Sequence, residues 1–181
     1  LDDGRIEIGV HIADVTSFLF PGTAMDEEAA RRGTTTYLVQ RRLDMLPGAL
    51  TTDICSLVGE QERLAFSVFW ILDKETMLPD EKIQPRFTKS VIKSAAALTY
   101  EQAQTQIDDV TMNDDLTLSL RRLRDVARKL RKRRMDNGAL TLASPEVRFE
   151  MDQQSSDPLA VGLYVTRETN QMVEEMMLLA N

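Results

Sequence analysis

Apolar and polar residues alternate at the start of the chain. After Asp3-Gly4, a two-residue signal for a hairpin turn, Ile6, Ile8, Val10 and Ile12 interleave with Glu7, Gly9, His11 and Ala13. A period of two predicts a half-buried strand, with Val10 and Ile12 in the core and His11 on the opposite face. The period then changes. Pro21-Gly22 marks a turn, and Thr23 leads "AMDEEAARRG", acidic first and basic last, which predicts a short helix capped by Thr23 and closed by Gly33. "TTTYLV" is β-prone, and Pro47-Gly48 interrupts the chain. "RLAFSVFWILD" reads as a long apolar strand, and residues 82–92, "KIQPRFTKSVI", as a further strand with Pro85 at an edge or bulge.

Helical spacing takes over from residue 94. "SAAALTYEQAQTQI" reads as helix. Beyond the acidic loop "DDVTMNDD", Leu116, Leu120, Leu123, Ala127 and Leu130 form an apolar stripe along a helix that runs to Gly138. "ALTLASPEVRFEMD" returns to strand, "QQSSDP" loops, and "TRETNQMVEEMMLLAN" closes as helix. The class is α+β, a mixed sheet with packed helices, without repeats or a low-complexity linker.

Composition adds limits. With 181 residues, 43% hydrophobic and 28% charged, the chain can bury a core and is not a disordered protein. No stretch approaches the roughly 18 uninterrupted apolar residues of a membrane span, so the chain is expected to be soluble. Cys55 is the single cysteine, expected as a buried thiol in a reducing compartment, and with one histidine the composition argues against a zinc site. The hairpin turn at the first residues and a last helix without a cap read as the two ends of a fragment.

Net charge is −7, unevenly spread. Residues 121–134, "RRLRDVARKLRKRR", hold nine of the 22 Lys and Arg. Such a segment can meet phosphates, but the apolar stripe on the same helix favours a packed element with a solvated basic face.

Among chemical motifs, His11 stands three residues before Asp14 with no nucleophile in a recognisable arrangement, and GxSxG, a Walker loop and GxGxxG are absent. Asp2 and Asp3 read as turn residues, and Asp108, Asp109, Asp114 and Asp115 as solvated loop acids. Tyr37 and Tyr100 suit either packing or stacking on nucleic-acid bases. Glu174 and Glu175 flank apolar positions of the last helix, so a carboxylate near that face needs a partner, either a ribose hydroxyl or an arginine in a part of the protein outside these 181 residues.

Three longer strings narrow the choice: "GVHIADVTSFLFPGTAMDEEAARRGTTTYL", "DMLPGALTTDICSLVGEQERLAFSVFW", and "GALTLASPEVRFEMD" with "ETNQMVEEMMLLAN". Together they resemble the catalytic RNB domain of the ribonuclease II and RNase R superfamily, most closely its eukaryotic, exosome-associated branch. The resemblance implies processive 3′-5′ hydrolysis of single-stranded RNA to nucleoside 5′-monophosphates with Mg²⁺, in the nucleus or cytoplasm, with the exosome core as a possible partner. It makes residues 1–181 a partial domain, lacking the C-terminal half and the upstream acidic segment that holds the family's metal ligands, so no catalytic or metal residue is expected here. Tyr37 and Tyr100 match RNA-clamping tyrosines, and one of Glu174 and Glu175, Glu174 by preference, matches the acid that reads the terminal ribose. His11 and Asp14, in "HIADV", match a position that either supports a metal-bound carboxylate or caps a neighbouring loop. The rival reading is a noncatalytic RNA-binding or scaffolding module of the same fold.

Overall fold

The computed structural model describes residues 1, 4–38, 41–141, 147–151, 158–163 and 165–181. They form two compact units, the first made of Leu1–Ile12, Val58–Thr141 and Thr166–Asn181, the second of Ala13–Leu57 and Leu142–Val165. The reading of Asp2 and Asp3 as turn residues falls outside the described positions.

In the first unit three strands lie in the order β1 (Ile6–Ala13), β4 (Glu62–Leu72), β5 (Arg86–Lys93), the numbers β2 and β3 belonging to two short strands of the second unit. β4 and β5 are antiparallel, with Val68 opposite Phe87 and Phe66 opposite Lys89. Pro85 stands just before β5 rather than inside it, so the ladder loses no donor to it. One sheet face packs on α3 (Asp115–Asp136): Ile8, Val68, Trp70 and Leu72 bury against Val126 and Leu130, with Ile6, Val10, Leu123 and Met176 around them. Each such side chain contributes roughly 1.5–3 kcal/mol by leaving water.

The alternation expected of β1 holds at Ile6, Ile8 and Val10 and fails at Ile12, which is 50% exposed. Helical cover stops short of that end of the sheet, where Leu64, Phe66, Phe87 and Val91 are also exposed. Phe66 and Phe87 stack on each other there, ring centroids 6.5 Å apart.

α2 covers Tyr100–Asp108, six residues shorter at its start than the helical spacing suggests. Ser94 is held extended by a bridge to Gly59, and Thr99 then starts the helix: its hydroxyl accepts from Gln102 N, while the Gln102 side chain accepts from Thr99 N. The acids of the following loop are turn and cap acceptors, not merely solvated charges. Asp109 accepts from the Thr111 hydroxyl and backbone N–H, and Asp114 from the hydroxyl and N–H of the buried Thr117 at the head of α3. Those bonds favour the charged form and hold both carboxyls below the usual range. The last helix, α4 (Glu168–Ala180), packs against α3 and α2.

In the second unit, α1 (Ala24–Arg32) begins at Thr23, whose hydroxyl accepts from Asp26 N, and ends at Gly33, where φ is +71°. β2 (Thr36–Tyr37) and β3 (Arg42–Leu43) pair antiparallel. Ala49–Ile54 forms a wide π-type helical turn that the sequence pattern did not announce, and Cys55 is buried directly after it. Burial raises the Cys55 thiol pKa, and the nearby Asp14 charge adds to the shift. β6 (Val147–Met151) and β7 (Pro158–Leu163) form an antiparallel pair with an irregularity at Glu150/Met151.

Candidate nucleic-acid interface

Tyr37 is 77% exposed on β2, with its ring open to solvent. Asp14 belongs to the same unit but is buried, and it accepts hydrogen bonds from the Thr16 hydroxyl at 2.6 Å and the Ser17 hydroxyl at 2.7 Å. It thus ties together the single 3₁₀ turn Val15–Ser17 that follows β1.

The first unit holds the other expected residues. Tyr100 occupies the first position of α2 and is 43% exposed, while its backbone carbonyl accepts from the Thr169 hydroxyl of α4 at 2.8 Å. That bond, with Gln104 Oε1 accepting from Thr169 N, fixes the start of α2 against the first turn of α4. Glu174 and Glu175 lie farther along α4.

Successive helical residues point about 100° apart, and α3 decides which of the two carboxylates is covered. Glu175 is 3% exposed, whereas the side chain of Glu174 is 52% exposed. The partner of the buried acid lies within this chain: Arg134 Nη2 is 2.5 Å from Glu175 Oε1 and its Nε 3.4 Å from Oε2. The same Nη2 reaches Glu174 Oε1 at 3.2 Å. Arg131 adds weaker contacts, 3.7 Å to Glu175 and 3.8 Å to Glu174. The two carboxylates hold the Arg134 guanidinium more firmly protonated than usual.

The basic segment as a whole follows this rule. Arg121 donates to the backbone carbonyls of Ile107 and Asp109, closing the C-terminal end of α2. Arg124 pairs with Asp125, Arg128 with Glu168, Lys132 with Asp136, and Lys129 bonds Thr76 O. The expected basic face is solvated at Arg128, Lys132 and Arg133, and most of its charges are also matched by ion pairs or backbone carbonyls. Arg131 and Arg134, which sequence reasoning had placed among those solvated charges, are the residues it missed. Their spacing of three on one helix face was the available signal.

His11 lies on the sheet face opposite the one that packs on α3. Its Nδ1 is 2.7 Å from the buried Ser67 Oγ, and its ring edge meets Phe69 at a centroid distance of 5.5 Å. The Arg86 guanidinium sits 4.1 Å over the Phe69 ring and reaches Glu7 at 3.4 Å. Partial burial lowers the His11 pKa. Among the described residues no group of three or more His, Cys, Asp and Glu could hold a metal ion, so the residues described do not make up a metal site.

A three-stranded sheet backed by helices, with a buried glutamate clamped by arginine between two of those helices, makes an α+β fold. Its fold matches that of Mycoplasma genitalium RNase R, solved in complex with double-stranded RNA, at a TM-score of 0.87 and 22% identity over 97% of this chain and 31% of that one. Residues 1–181 match the RNB domain family, and the chain belongs to it. It is 57% identical to exosome complex exonuclease RRP44 homolog A of Arabidopsis thaliana and 52% identical to exosome complex exonuclease dis3 of Schizosaccharomyces pombe. Each match takes in 100% of this chain and respectively 19% and 18% of the relative, so the chain spans about a fifth of their length.

Proposed function

We propose that this chain is part of a 3′-5′ exoribonuclease that hydrolyses single-stranded RNA processively to nucleoside 5′-monophosphates. The observation that carries the reading is the full-length match to the RNB family at 52–57% identity to relatives named exosome exonucleases. In this reading Tyr37 and Tyr100, both exposed, stack on bases, and Glu174, the more open of the two glutamates, accepts from the terminal ribose hydroxyl that distinguishes RNA from DNA. His11, bonded to Ser67, and Asp14, bonded to Thr16 and Ser17, either support a metal-bound carboxylate or cap a neighbouring loop. The reaction calls for Mg²⁺, which would activate water and stabilise the leaving oxygen. The residues described offer no ligand set for it, and its ligands are expected in an acidic segment before Leu1. The parent would act in the nucleus or cytoplasm, in company with an exosome core.

The test is to incubate the intact parent with 5′-labelled single-stranded RNA, with Mg²⁺ and with chelator. Monophosphates released stepwise from the 3′ end only with metal support the reading; internal cuts or metal-independent cleavage overturn it. A noncatalytic module would give RNA binding without products, and the identity to named exonucleases does not favour it.

A further inference from the structure

The arrangement of Arg134 against two adjacent carboxylates does more than satisfy a buried charge. A glutamate as enclosed as Glu175 is stable only when its oxygens are bonded, and Arg134 does this with two nitrogens of one planar fork. The guanidinium is then fixed in position and plane by α4 itself. Its Nη2, already anchored, also donates to Glu174 Oε1 at 3.2 Å. Glu174 is thereby held at Oε1, while its Oε2 has only the long 3.8 Å contact to Arg131 and about half of its side chain stays open. A carboxylate held in this way keeps acceptor capacity for an incoming hydroxyl and does not have to be ordered when that hydroxyl arrives.

We propose that Arg134 is a positioning residue for ribose recognition: anchored on the buried Glu175, it sets the direction of the Glu174 carboxylate that accepts from the terminal 2′-hydroxyl. This rests on the reading of Glu174 given above. It also separates the roles of the two neighbouring acids, Glu175 serving as anchor and Glu174 as reader. Lysine cannot replace Arg134 in this role, because a single ammonium cannot present two nitrogens to one carboxylate and reach a second at a fixed angle.

The test measures affinity by fluorescence anisotropy of the intact parent, in chelator so that nothing is cleaved, for two labelled oligonucleotides of one sequence, one ending in a ribonucleotide and the other in a 2′-deoxynucleotide. Arg134→Lys is expected to lower the ratio of the two affinities by roughly three- to tenfold, the weight of one hydrogen bond. The double variant Arg134→Lys/Glu174→Gln should fall no further than Glu174→Gln alone, which a merely structural role would not produce. A wild-type ratio in Arg134→Lys, with a lowered ratio in Glu174→Gln, overturns the positioning role and leaves the ribose reading standing. A wild-type ratio in Glu174→Gln overturns the ribose reading itself. Should Arg134→Lys fail to fold, judged by circular dichroism, Glu175→Gln takes its place: it keeps the shape of the anchor but removes its charge, and an unchanged ratio there counts against the proposal.

Discussion

His11 Nδ1 and Ser67 Oγ lie 2.7 Å apart across neighbouring strands, and Ser67 Oγ lies a further 2.6 Å from Ser90 Oγ on β5. One chain of hydrogen bonds thus crosses all three strands of the sheet. Because partial burial lowers the His11 pKa, the folded state holds this proton less tightly than the unfolded chain does. The associated stability is complete above the ordinary histidine value near 6.5 and is lost as pH falls below it toward the folded pKa. Urea midpoints measured at pH 7.5 and 5.5 should therefore drop for the wild type and drop less for His11→Gln. Equal drops would show that the ring does not report on folding.

Ser67 is fully buried and serves both neighbours. Ser67→Ala leaves Ser90 its second bond, to Ala65 O, but removes the partner of His11 Nδ1. A cost of about 1–2 kcal/mol is expected, read from urea denaturation at pH 7.5.

Gly9 leaves room for the Phe69 ring. A methyl group at residue 9 would sit 3.0 Å from two ring carbons, and the ring has little freedom to yield with Arg86 over its face and His11 at its edge. Gly9→Ala should cost about 1–3 kcal/mol. The penalty should shrink when Phe69 is first replaced by Leu, and a double-mutant cycle on thermal unfolding checks this.

Thr99 closes its capping box with Gln102 at the head of α2, beside the candidate clamp Tyr100. Thr99→Ala should cost about 1 kcal/mol of stability. Thr99→Ser should restore most of it, as followed by helical ellipticity on heating.

Tyr37 has no cover to lose. Tyr37→Ala is expected to leave the unfolding midpoint unchanged and to weaken single-stranded RNA binding by about 1–3 kcal/mol in the intact parent. A lowered midpoint with unchanged affinity would make it a packing residue instead.

Much of this architecture was legible along the chain wherever local rules decide. The period of two in β1 as far as Val10, the long apolar run of β4 and the acidic-to-basic order of α1 translate directly into structure. What was not legible depends on distant elements. Ile12 carries the same pattern as Ile8, and only the extent of the helical cover over the sheet separates buried from exposed. Likewise Glu174 and Glu175 are chemically identical neighbours. α3 approaches from 40 residues away with Arg134, and that approach determines which acid is enclosed.

The pairing along α3 also changes what its nine basic residues offer to a polyanion. A phosphate gains little from a guanidinium whose charge is already matched by Glu168, Glu174 or Glu175. Few counterions would then be expelled from RNA on contact with this helix. Raising the salt concentration should therefore draw little of its effect on any RNA binding from α3, whose positive charges are largely spent within the fold.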